Sequence, residues 1–481
     1  MRVLVLYPGL VKERRQLVAP HRWRLKWSGT QLILADDRLH PEDAQVFGDV
    51  LQLPPAQRAE EVWQTLMAYV KRHPVDAIVA QSEAGLLLGA RLSREFGLPG
   101  PSVESVLATV DKFSSRRLLE ARGVPQPGFA LVDGAQGVRR FGREHGWPLV
   151  LKAVASSRQR LVRCIESEDQ VGAQVAEMLA ELPGARDVLR LQSFAKLEGL
   201  DLGLDPARQF LVEAFQPGLP LECDGLLVGA EPRWFGVCEQ IPSRERQFFI
   251  EGYLLPARLD AAAKREVLGV AQEALRALGL EDSGVSVELR LAEDGARIIE
   301  VNGRLPWDEG LQELVQACTG ALPSVLALKL AMGRKLPELK QRRHAALVYR
   351  SNYEAGQLRS APSPEEWQRL TRGARSAWMI AEADQKLLAG DHRDSRPHIA
   401  AILCTDRRST ERALAAAEEL LAGLQLDVEP LEPARAEGQL RPASRSVGQP
   451  RGPAASNRIE LKGQAPLAPG LARGEAPGEA G

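Results

Sequence analysis

Short apolar runs alternate with amphipathic stretches over the first hundred residues. The pattern predicts buried strands at residues 3–6, 31–35 and 76–80 and a helix at 59–72. Strands that alternate with helices predict a parallel α/β layer. No Gly-x-Gly-x-x-Gly turn follows the first strand, which argues against a dinucleotide site in this layer.

The periodicity continues beyond residue 100 and predicts both strands and helices. A helix at 111–122 and an amphipathic helix at 262–278 are each followed by a glycine suited to a left-handed cap. Within a smaller α/β segment at about 335–430, the pattern predicts a strand at 399–404 and a helix at 409–424. Two further strands are predicted at 147–152 and 209–213.

Composition and charge narrow the class of protein. The 481 residues are 44% hydrophobic and 26% charged, as in a globular chain of several domains. The formal net charge of −1 gives no electrostatic reason to expect nucleic acid or an anionic membrane as a partner. No apolar run reaches the roughly 18 residues of a spanning helix, and the short apolar N-terminus predicts a strand rather than a signal peptide.

Cysteine and histidine usage indicates the compartment and the kind of metal site. The five cysteines form no CxxC pair, which is typical of reduced thiols in the cytoplasm. The seven histidines form no HExxH cluster, so any metal would need oxygen ligands. Residues 431–481 contain 15 Gly plus Pro and no aromatic residue, a composition that predicts a disordered tail.

One predicted hairpin places several polar side chains together. Two alternating runs, 284–292 and 295–304, flank an Asp294-Gly295 turn. Positions 288 and 300 are equidistant from Asp294, so symmetric pairing would set Glu288 opposite Glu300, with Cβ atoms about 5 Å apart. Period two puts these polar residues on one face: Ser286, Glu288, Arg290, Glu300, Asn302 and Arg304.

The facing glutamates favour a metal site. Like charges directly opposite each other are destabilising, and a bound divalent cation would remove that penalty. With Asn302 they supply oxygen ligands of the kind that magnesium takes together with nucleotide phosphates. The alternative is a solvent-facing hairpin whose polar face merely alternates.

Read in order, several segments resemble the motifs of the ATP-grasp superfamily. The resemblance spans roughly residues 105–335 and implies a mixed α/β ATP-grasp architecture. It implies an N-terminal Rossmann-like α/β domain at 1–105, an ATP-grasp domain at 106–335 with a mobile lid at about 130–205, and a small C-terminal α/β domain at 336–430 before the tail. The segments are Asp111-Lys112, Gly123-Val124-Pro125-Gln126-Pro127, Pro148-Leu149-Val150-Leu151-Lys152, Val212-Glu213-Ala214-Phe215, Ala277-Leu278-Gly279-Leu280, Glu288 and Glu300-Val301-Asn302-Gly303-Arg304.

The resemblance implies a role for each matching residue. Lys112 and Lys152 would contact ATP phosphates, and Lys152 and Arg304 would act in catalysis, Arg304 by steadying an acyl-phosphate. The loop 153–161 lacks the family's glycines, although Ser156 and Ser157 could bind phosphate through their side chains. The hinge strand Glu213, Ala214 and Phe215 would lie beside adenine and ribose, and Glu288, Glu300 and Asn302 would hold Mg²⁺, with Mn²⁺ as a substitute.

Within the superfamily the chain is more similar to the carboxylate–amine or L-amino-acid ligase branch, which includes carnosine synthase. Residues 249–257 (FIEGYLLPA) resemble that branch's FVExGHxxPA stretch, and Asp224-Gly225 resembles its VDG. The resemblance implies that Glu251 helps hold a substrate amino group and that the histidine is either replaced by Tyr253 or lost. Trp307 would wall the pocket or simply pack.

The resemblance therefore implies a cytoplasmic ATP-dependent ligase that joins a carboxylate to an amine through an acyl-phosphate, releasing ADP and phosphate. Its partners would be small carboxylates and amines, amino acids among them, with a homodimer left open. Two alternatives remain. A carboxylase subunit resembling biotin carboxylase would work with a biotinyl lysine, but no Met-Lys-Met segment is present. A Mg–ATP sensor without turnover would suit the glycine-free loop.

Overall fold

The computed structural model describes residues 1–8, 29–157, 159–306, 308–388 and 397–431. Residues Met1–Glu432 group into one compact unit. Trp307 and all of the predicted disordered tail except Leu431 lie outside the described residues.

A parallel sheet with flanking helices forms the N-terminal layer, as the alternation of strands and helices predicted. Its strand order is β3-β2-β1-β4, and every pairing in it is parallel. The elements are β1 (Arg2–Leu6), β2 (Gln31–Asp36), β3 (Asp49–Gln52), β4 (Ala77–Val79), α1 (Asp43–Val46), α2 (Ala59–Arg72), α3 (Leu86–Phe96), α4 (Val103–Val110) and α5 (Lys112–Ala121).

An antiparallel sheet of order β5-β8-β6-β7 follows, and we call it the lid sheet. Its core is built from the apolar faces of these strands and the helices packed on them. The elements are β5 (Phe129–Val132), β6 (Leu149–Ala153), β7 (Val162–Ile165), β8 (Phe210–Ala214), α6 (Ala135–His145), α7 (Val171–Glu181) and α8 (Arg186–Glu198).

An eight-stranded sheet forms the centre of the molecule, in the order β13-β12-β9-β10-β11-β14-β18-β16. The segment 336–430 therefore shares this sheet, because β14, β18 and β16 complete it, while β17, β15 and β19 form a small sheet beside it. The elements are β9 (Leu219–Val228), β10 (Glu231–Pro242), β11 (Ile250–Leu255), α9 (Ala261–Ala277), β12 (Gly284–Ala292), β13 (Gly295–Asn302), α10 (Leu311–Thr319), α11 (Pro323–Ala331), β14 (His344–Ser351), β15 (Gly356–Ser360), α12 (Pro364–Leu370), β16 (Ser376–Met379), β17 (Lys386–Leu387), β18 (His398–Asp406), α13 (Thr410–Ala422) and β19 (Asp427–Pro430).

The register of β12 and β13 confirms that Glu288 lies opposite Glu300, but for a different reason from the predicted symmetry. The turn is the two-residue loop 293–294, and Gly295 already pairs with Ala292 in the ladder. An uninterrupted ladder from that turn would set Glu288 opposite Ile299. A β-bulge, at the register shift between Glu288 and Leu289, adds one residue to β13 and restores the facing pair.

Helix α8 packs on two cores, because Val188 at its start lies in the core of the lid sheet and its later residues lie in that of the first layer. Leu191 and Phe194 are fully buried in the hydrophobic core of the N-terminal layer, together with residues of β1, α2 and α3. Glu198 ion-pairs with Arg91 and Arg94 of α3, each at 2.7 Å. This helix thus joins the lid region to the first layer by both apolar and charged contacts.

Within the described part of the chain, no single helix is both long and apolar enough to cross a membrane. The pair α10 and α11, bent by 88°, meets the length and composition test only when the two helices are taken together.

Candidate active site

The predicted metal ligands lie on adjacent strands and share one face of the large sheet. Glu288 on β12 pairs with Glu300 on β13, and Ser286 pairs with Asn302 one step along. The row continues to β9, where Glu222 pairs with Glu288 and Asp224 pairs with Ser286. Three neighbouring strands therefore present a two-by-three array of oxygen-bearing side chains: Glu300, Glu288, Glu222, Asn302, Ser286 and Asp224.

The two facing glutamates differ in their electrostatic environment. Burial opposes the charge of Glu300, but the ammonium group of Lys112 forms an ion pair with it and lowers its pKa. Burial, followed by the charges of Glu300 and Glu222, raises the pKa of Glu288. The charge of Lys112 offsets this electrostatic penalty at Glu288 only in part.

This arrangement fits a magnesium ion that shares its coordination with phosphate. Glu288, Glu300 and Asn302 offer hard oxygen ligands, and a divalent cation would offset the repulsion at Glu288. Among the described residues, no group of three or more His, Cys, Asp or Glu side chains forms a complete metal site by itself. Magnesium commonly takes one or two carboxylates plus substrate phosphates, which matches such a partial set.

Lys152, on β6, lies against the hinge strand β8. Its ammonium group is 2.7 Å from Oε2 of Glu213, and Arg116 of α5 contacts the other oxygen of the same carboxylate at 2.6 Å. Burial opposes the charge on Glu213, but Arg116 and Lys152 outweigh it and bring the pKa of Glu213 down to about 2. The carboxylate therefore stays ionised and fixes Lys152 at the end of its strand.

Arg116 also holds the bulge that positions Glu300. Its guanidinium donates to the carbonyl of Ile298 at 3.1 Å and to the carbonyl of Ile299 at 2.7 Å. These carbonyls flank the extra residue of β13, so one buried side chain connects the bulge to Glu213. The sequence reasoning assigned no role to Arg116, although it lies four residues after Lys112 on the same helix.

A cavity brings together several of the predicted phosphate, metal and catalytic groups, although Lys152 and Glu288 do not line it. It encloses roughly 470 Å³, part of it open solvent. Ser156 belongs to its wall, whereas the N–H and hydroxyl of Ser157 donate to Oδ2 of Asp187 at 3.0 and 2.9 Å. Its polar lining includes Lys112, Ser156, Asp187, Arg190, Glu300, Asn302, Arg304 and Glu83.

Arg304 reaches this cavity but is held by a residue that the sequence reasoning missed. Its guanidinium forms an ion pair with Glu83, just after β4, and donates to the carbonyl of Leu305 at 3.1 Å. The Leu305 N–H in turn donates to Gln81 at 2.9 Å. Polar residues at the carboxyl end of a parallel strand often line a ligand site, and that position was the available signal for Glu83.

The backbone N–H groups of two predicted hinge residues donate hydrogen bonds to carbonyls of the protein itself. The Ala214 N–H donates to the carbonyl of Gly128 at 2.9 Å, and the Phe215 N–H donates to the carbonyl of Pro148 at 3.2 Å. These bonds tie the end of β8 to the loops before β5 and β6. The adenine role predicted for this segment stays a prediction.

The predicted substrate residues occupy the neighbouring part of the same sheet. Glu251 accepts hydrogen bonds from Ser243 at 2.8 Å and from Tyr353 at 3.0 Å. Tyr253 is buried, and its hydroxyl donates to Asp308 at 2.5 Å. Trp307, predicted to wall this pocket, lies outside the described residues.

Asp308 connects the metal pair to this aromatic region. On one side, burial raises the pKa of Glu288 and of Asp224, and the charge of Asp308 adds to that rise. On the other side, burial lowers the pKa of His398 to about 4, and the charge of Asp308 opposes that fall. Tyr253 is its hydrogen-bond partner. Asp308 carries no sequence signal beyond its closeness to Arg304.

The fold and this array of lysines, paired glutamates and arginine define the ATP-grasp class. Residues 145–306 match the family model described as the ATP-grasp domain. The chain therefore contains an ATP-grasp domain at residues 145–306.

Similar curated proteins include ligases of amino acids. The chain is 29% identical to the L-arginine-specific L-amino acid ligase of Bacillus subtilis over 92 residues, 19% of this chain and 22% of that enzyme. It is 28% identical to carnosine synthase 1 of Gallus gallus over 286 residues, 58% of this chain and 29% of that protein. Each match covers less than a third of the curated relative's length.

Solved structures share the fold over most of the chain. An L-amino acid ligase from Bacillus licheniformis superposes with a TM-score of 0.71 and 17% identity, covering 90% of this chain and 99% of that one. Biotin carboxylase from Campylobacter jejuni superposes with a TM-score of 0.62 and 17% identity, covering 89% and 92%. At these identities the likeness establishes the fold and leaves the reaction to be argued from the site.

Proposed function

We propose that the chain is an ATP-dependent carboxylate–amine ligase. The substrate carboxylate attacks the γ-phosphorus of ATP, which gives an acyl-phosphate and releases ADP. The amine nitrogen then attacks the acyl carbon, the carbon–oxygen bond to phosphate breaks, and phosphate leaves with the bonding electrons. The amine loses a proton, and the product is an amide or peptide bond.

The observation that carries the proposal is the cavity in which Lys112, Glu300, Asn302 and Arg304 meet. Phosphoryl transfer needs positioned positive charge more than covalent chemistry from the protein. Lys112 and Lys152 supply charge for the phosphates, and Arg304 lies where an acyl-phosphate could form. Displacing Glu300 from Lys112 and Glu83 from Arg304 would free both cations for the substrates.

Glu288, Glu300 and Asn302 would hold Mg²⁺, or Mn²⁺ in its place. The ion would supply charge neutralisation for the nucleotide phosphates. The described residues themselves keep Glu300 ionised through Lys112 and hold its backbone in place through Arg116.

The predicted domain division and location belong to the same proposal. We keep as part of the proposal an N-terminal domain at 1–105, an ATP-grasp domain at 106–335 with a lid at about 130–205, and a C-terminal domain at 336–430, whose strands β14, β18 and β16 extend the sheet of the preceding domain. All five cysteines are free, which supports a cytoplasmic location. Amino acids are the proposed substrates, since two of the similar proteins are named as L-amino acid ligases.

Oxygen-18 labelling tests the acyl-phosphate route. A substrate carboxylate labelled in both oxygens should deliver one label to the released phosphate and keep the other in the amide carbonyl. Mass spectrometry of the phosphate and the product measures both. Label-free phosphate would contradict an acyl-phosphate intermediate.

A Mg–ATP sensor remains the second candidate, and one observation favours it. The N–H and hydroxyl of Ser157, in the loop expected to cover phosphate, are already taken by Asp187. The sensor model predicts tight Mg–ATP binding without phosphate release from any pool of carboxylates and amines.

A further inference from the structure

Two carboxylates beside the metal pair have no role in the mechanism above. Asp224 is 1% exposed, and neither of its carboxylate oxygens accepts a hydrogen bond from a described residue. Glu222 is 3% exposed and accepts from Ser286 at 2.7 Å and from Gln240 at 3.2 Å. Both lie on β9, which is one strand further than β12 from the edge strand β13 that carries Glu300.

The described residues supply no ion-pair partner for this acidic cluster. No ion pair within the described part of the chain includes Glu222, Asp224 or Asp308, whereas the cations of the cavity, Lys112, Arg190 and Arg304, are engaged by other carboxylates. A buried carboxylate without a partner is costly, and a protein that keeps one retains it for a ligand or for chemistry. The missing partner of this cluster is a cation.

The surroundings favour an organic cation over a second metal ion. These carboxylates do not belong to any group of three or more His, Cys, Asp or Glu that could hold a metal ion among the described residues. Tyr253 donates to Asp308 and lies edge-on to Tyr349, with ring centroids 6.3 Å apart. Carboxylates beside aromatic rings suit an ammonium or guanidinium group, which hydrogen-bonds to the former and packs on the latter.

Glu251, the residue predicted from the resemblance to hold an amino group, is already well supplied with hydrogen bonds. Ser243 and Tyr353 both donate to its carboxylate. Asp224 accepts none from the described residues, so Asp224 has the larger unmet demand for a donor.

We propose that Glu222, Asp224 and Asp308 form a subsite for the positively charged nitrogen group of an amino-acid substrate. The proposal rests on the ligase function proposed above and adds the class of substrate group that this cluster selects. Asp224 is the buried acceptor at its base, and Asp308 with Tyr253 stands at its outer end.

Substitution of Asp224 by asparagine is the sharpest test, because it keeps the shape and removes the charge. We expect Asp224→Asn to fold with an unchanged or raised melting temperature, since it removes an unpaired buried charge. Glu231→Gln, an exposed carboxylate at the far end of β10, is the matched control.

Calorimetric titration in the presence of Mg²⁺ and a non-hydrolysable ATP analogue measures the preference for a cation. The probes are three pairs in which one member lacks a charged nitrogen group: L-arginine and L-citrulline, L-lysine and L-norleucine, L-leucine and L-leucic acid. In at least one pair the charged member should bind the wild type tenfold or more tightly than its neutral counterpart. Asp224→Asn should lose that preference and Glu231→Gln should keep it.

Absence of a charge preference in all three pairs, or a preference that Asp224→Asn retains, would overturn the proposal. Phosphate release separates this failure from failure of the ligase function. If the wild type turns over and Asp224→Asn has the same KM for amino acids as the wild type, the subsite proposal is wrong and the ligase function stands. A charge preference that depends on Asp224 in a protein without turnover would sink the ligase function alone.

Discussion

At the scale of single residues, the site is a set of carboxylates whose charge is controlled by their partners. Glu213 is held between two cations, Glu300 is paired with one, and Glu288 has none. Asp224 lies deeper, and burial, followed by the charges of Glu288 and Asp308, raises its pKa to about 7. The cationic partners of these carboxylates therefore decrease in number from Glu213 on the lid sheet to Glu300 and then Glu288 on the eight-stranded sheet.

Glu213 makes the stability of the protein depend on pH. Its pKa falls from an ordinary value of 4.5 to about 2 on folding, so the folded state gains on the order of 3 kcal/mol at neutral pH. That gain is complete above about pH 4.5 and is lost as the pH falls towards 2. Chemical denaturation of wild type and Glu213→Gln should show a difference in unfolding free energy that shrinks between pH 6 and pH 3. A difference that is constant over this range would contradict the assignment.

The residue scale also shows what the sequence could not reveal. The alternation of polar and apolar residues within each strand was enough to predict that Glu288, Glu300 and Asn302 lie on one face of the hairpin. Glu83 and Asp308 come to the site through tertiary contacts across 221 and 55 residues, which no local period records. The sequence pattern did not reveal the bulge either. The turn is displaced from the predicted centre at Asp294, and the extra residue in β13 compensates for that displacement, so Glu288 faces Glu300 in both cases.

At the scale of elements, two devices position the site: the bulge in β13 and the docking of α8. The bulge aligns Glu300 with Glu288, and Arg116 of α5 binds both carbonyls beside the extra residue. Helix α8 carries Asp187 and Arg190 to the cavity while its apolar face is buried in the N-terminal layer.

Arg116→Met should be strongly destabilising. It would leave Glu213 with Lys152 as its remaining cation and would remove the donors of two buried backbone carbonyls. Breaking a buried ion pair by removing one partner costs about 3–5 kcal/mol. Denaturant unfolding of Arg116→Met against Arg117→Met, a change at the next position of α5, measures the difference. Equal stability of the two variants would mean that Arg116 does not hold the bulge.

Phe194→Ala tests the docking of α8. Phe194 is 2% exposed in the core of the N-terminal layer, and such truncations cost about 3–5 kcal/mol. Leu200→Ala, at a position 41% exposed just after the helix, should change the unfolding free energy by less than about 0.5 kcal/mol. If Phe194→Ala were as mild as Leu200→Ala, the helix would not be anchored to the first layer.

At the scale of the whole molecule, three sheets converge on one cavity. The segment after β4 brings Glu83, the segment after β6 of the lid sheet brings Ser156, and β13 of the eight-stranded sheet brings Glu300 and Asn302. Sequence reasoning anticipated the first layer and the hairpin, whose periodicity is local. It did not anticipate that β14, β18 and β16 join the sheet of the hairpin, because strand order depends on long-range pairing.

Removal of residues 432–481 should leave the folded unit unchanged. Their composition cannot bury a core, so we expect the melting temperature of the truncated chain to differ from the full chain by less than about 2 °C. Differential scanning calorimetry of the two chains gives the comparison. A large drop would mean that the tail contributes packing that its composition does not predict.

The central claim is that this ATP-grasp chain uses Mg–ATP to join a carboxylate to an amine. The most direct measurement is phosphate release from Mg–ATP with pooled amino acids and small carboxylic acids, for the wild type and for Glu300→Ala. We predict release by the wild type and at least a hundredfold slower release by a folded Glu300→Ala. Equal release by both proteins would contradict the metal assignment, and no release by a wild type that binds Mg–ATP would contradict the ligase.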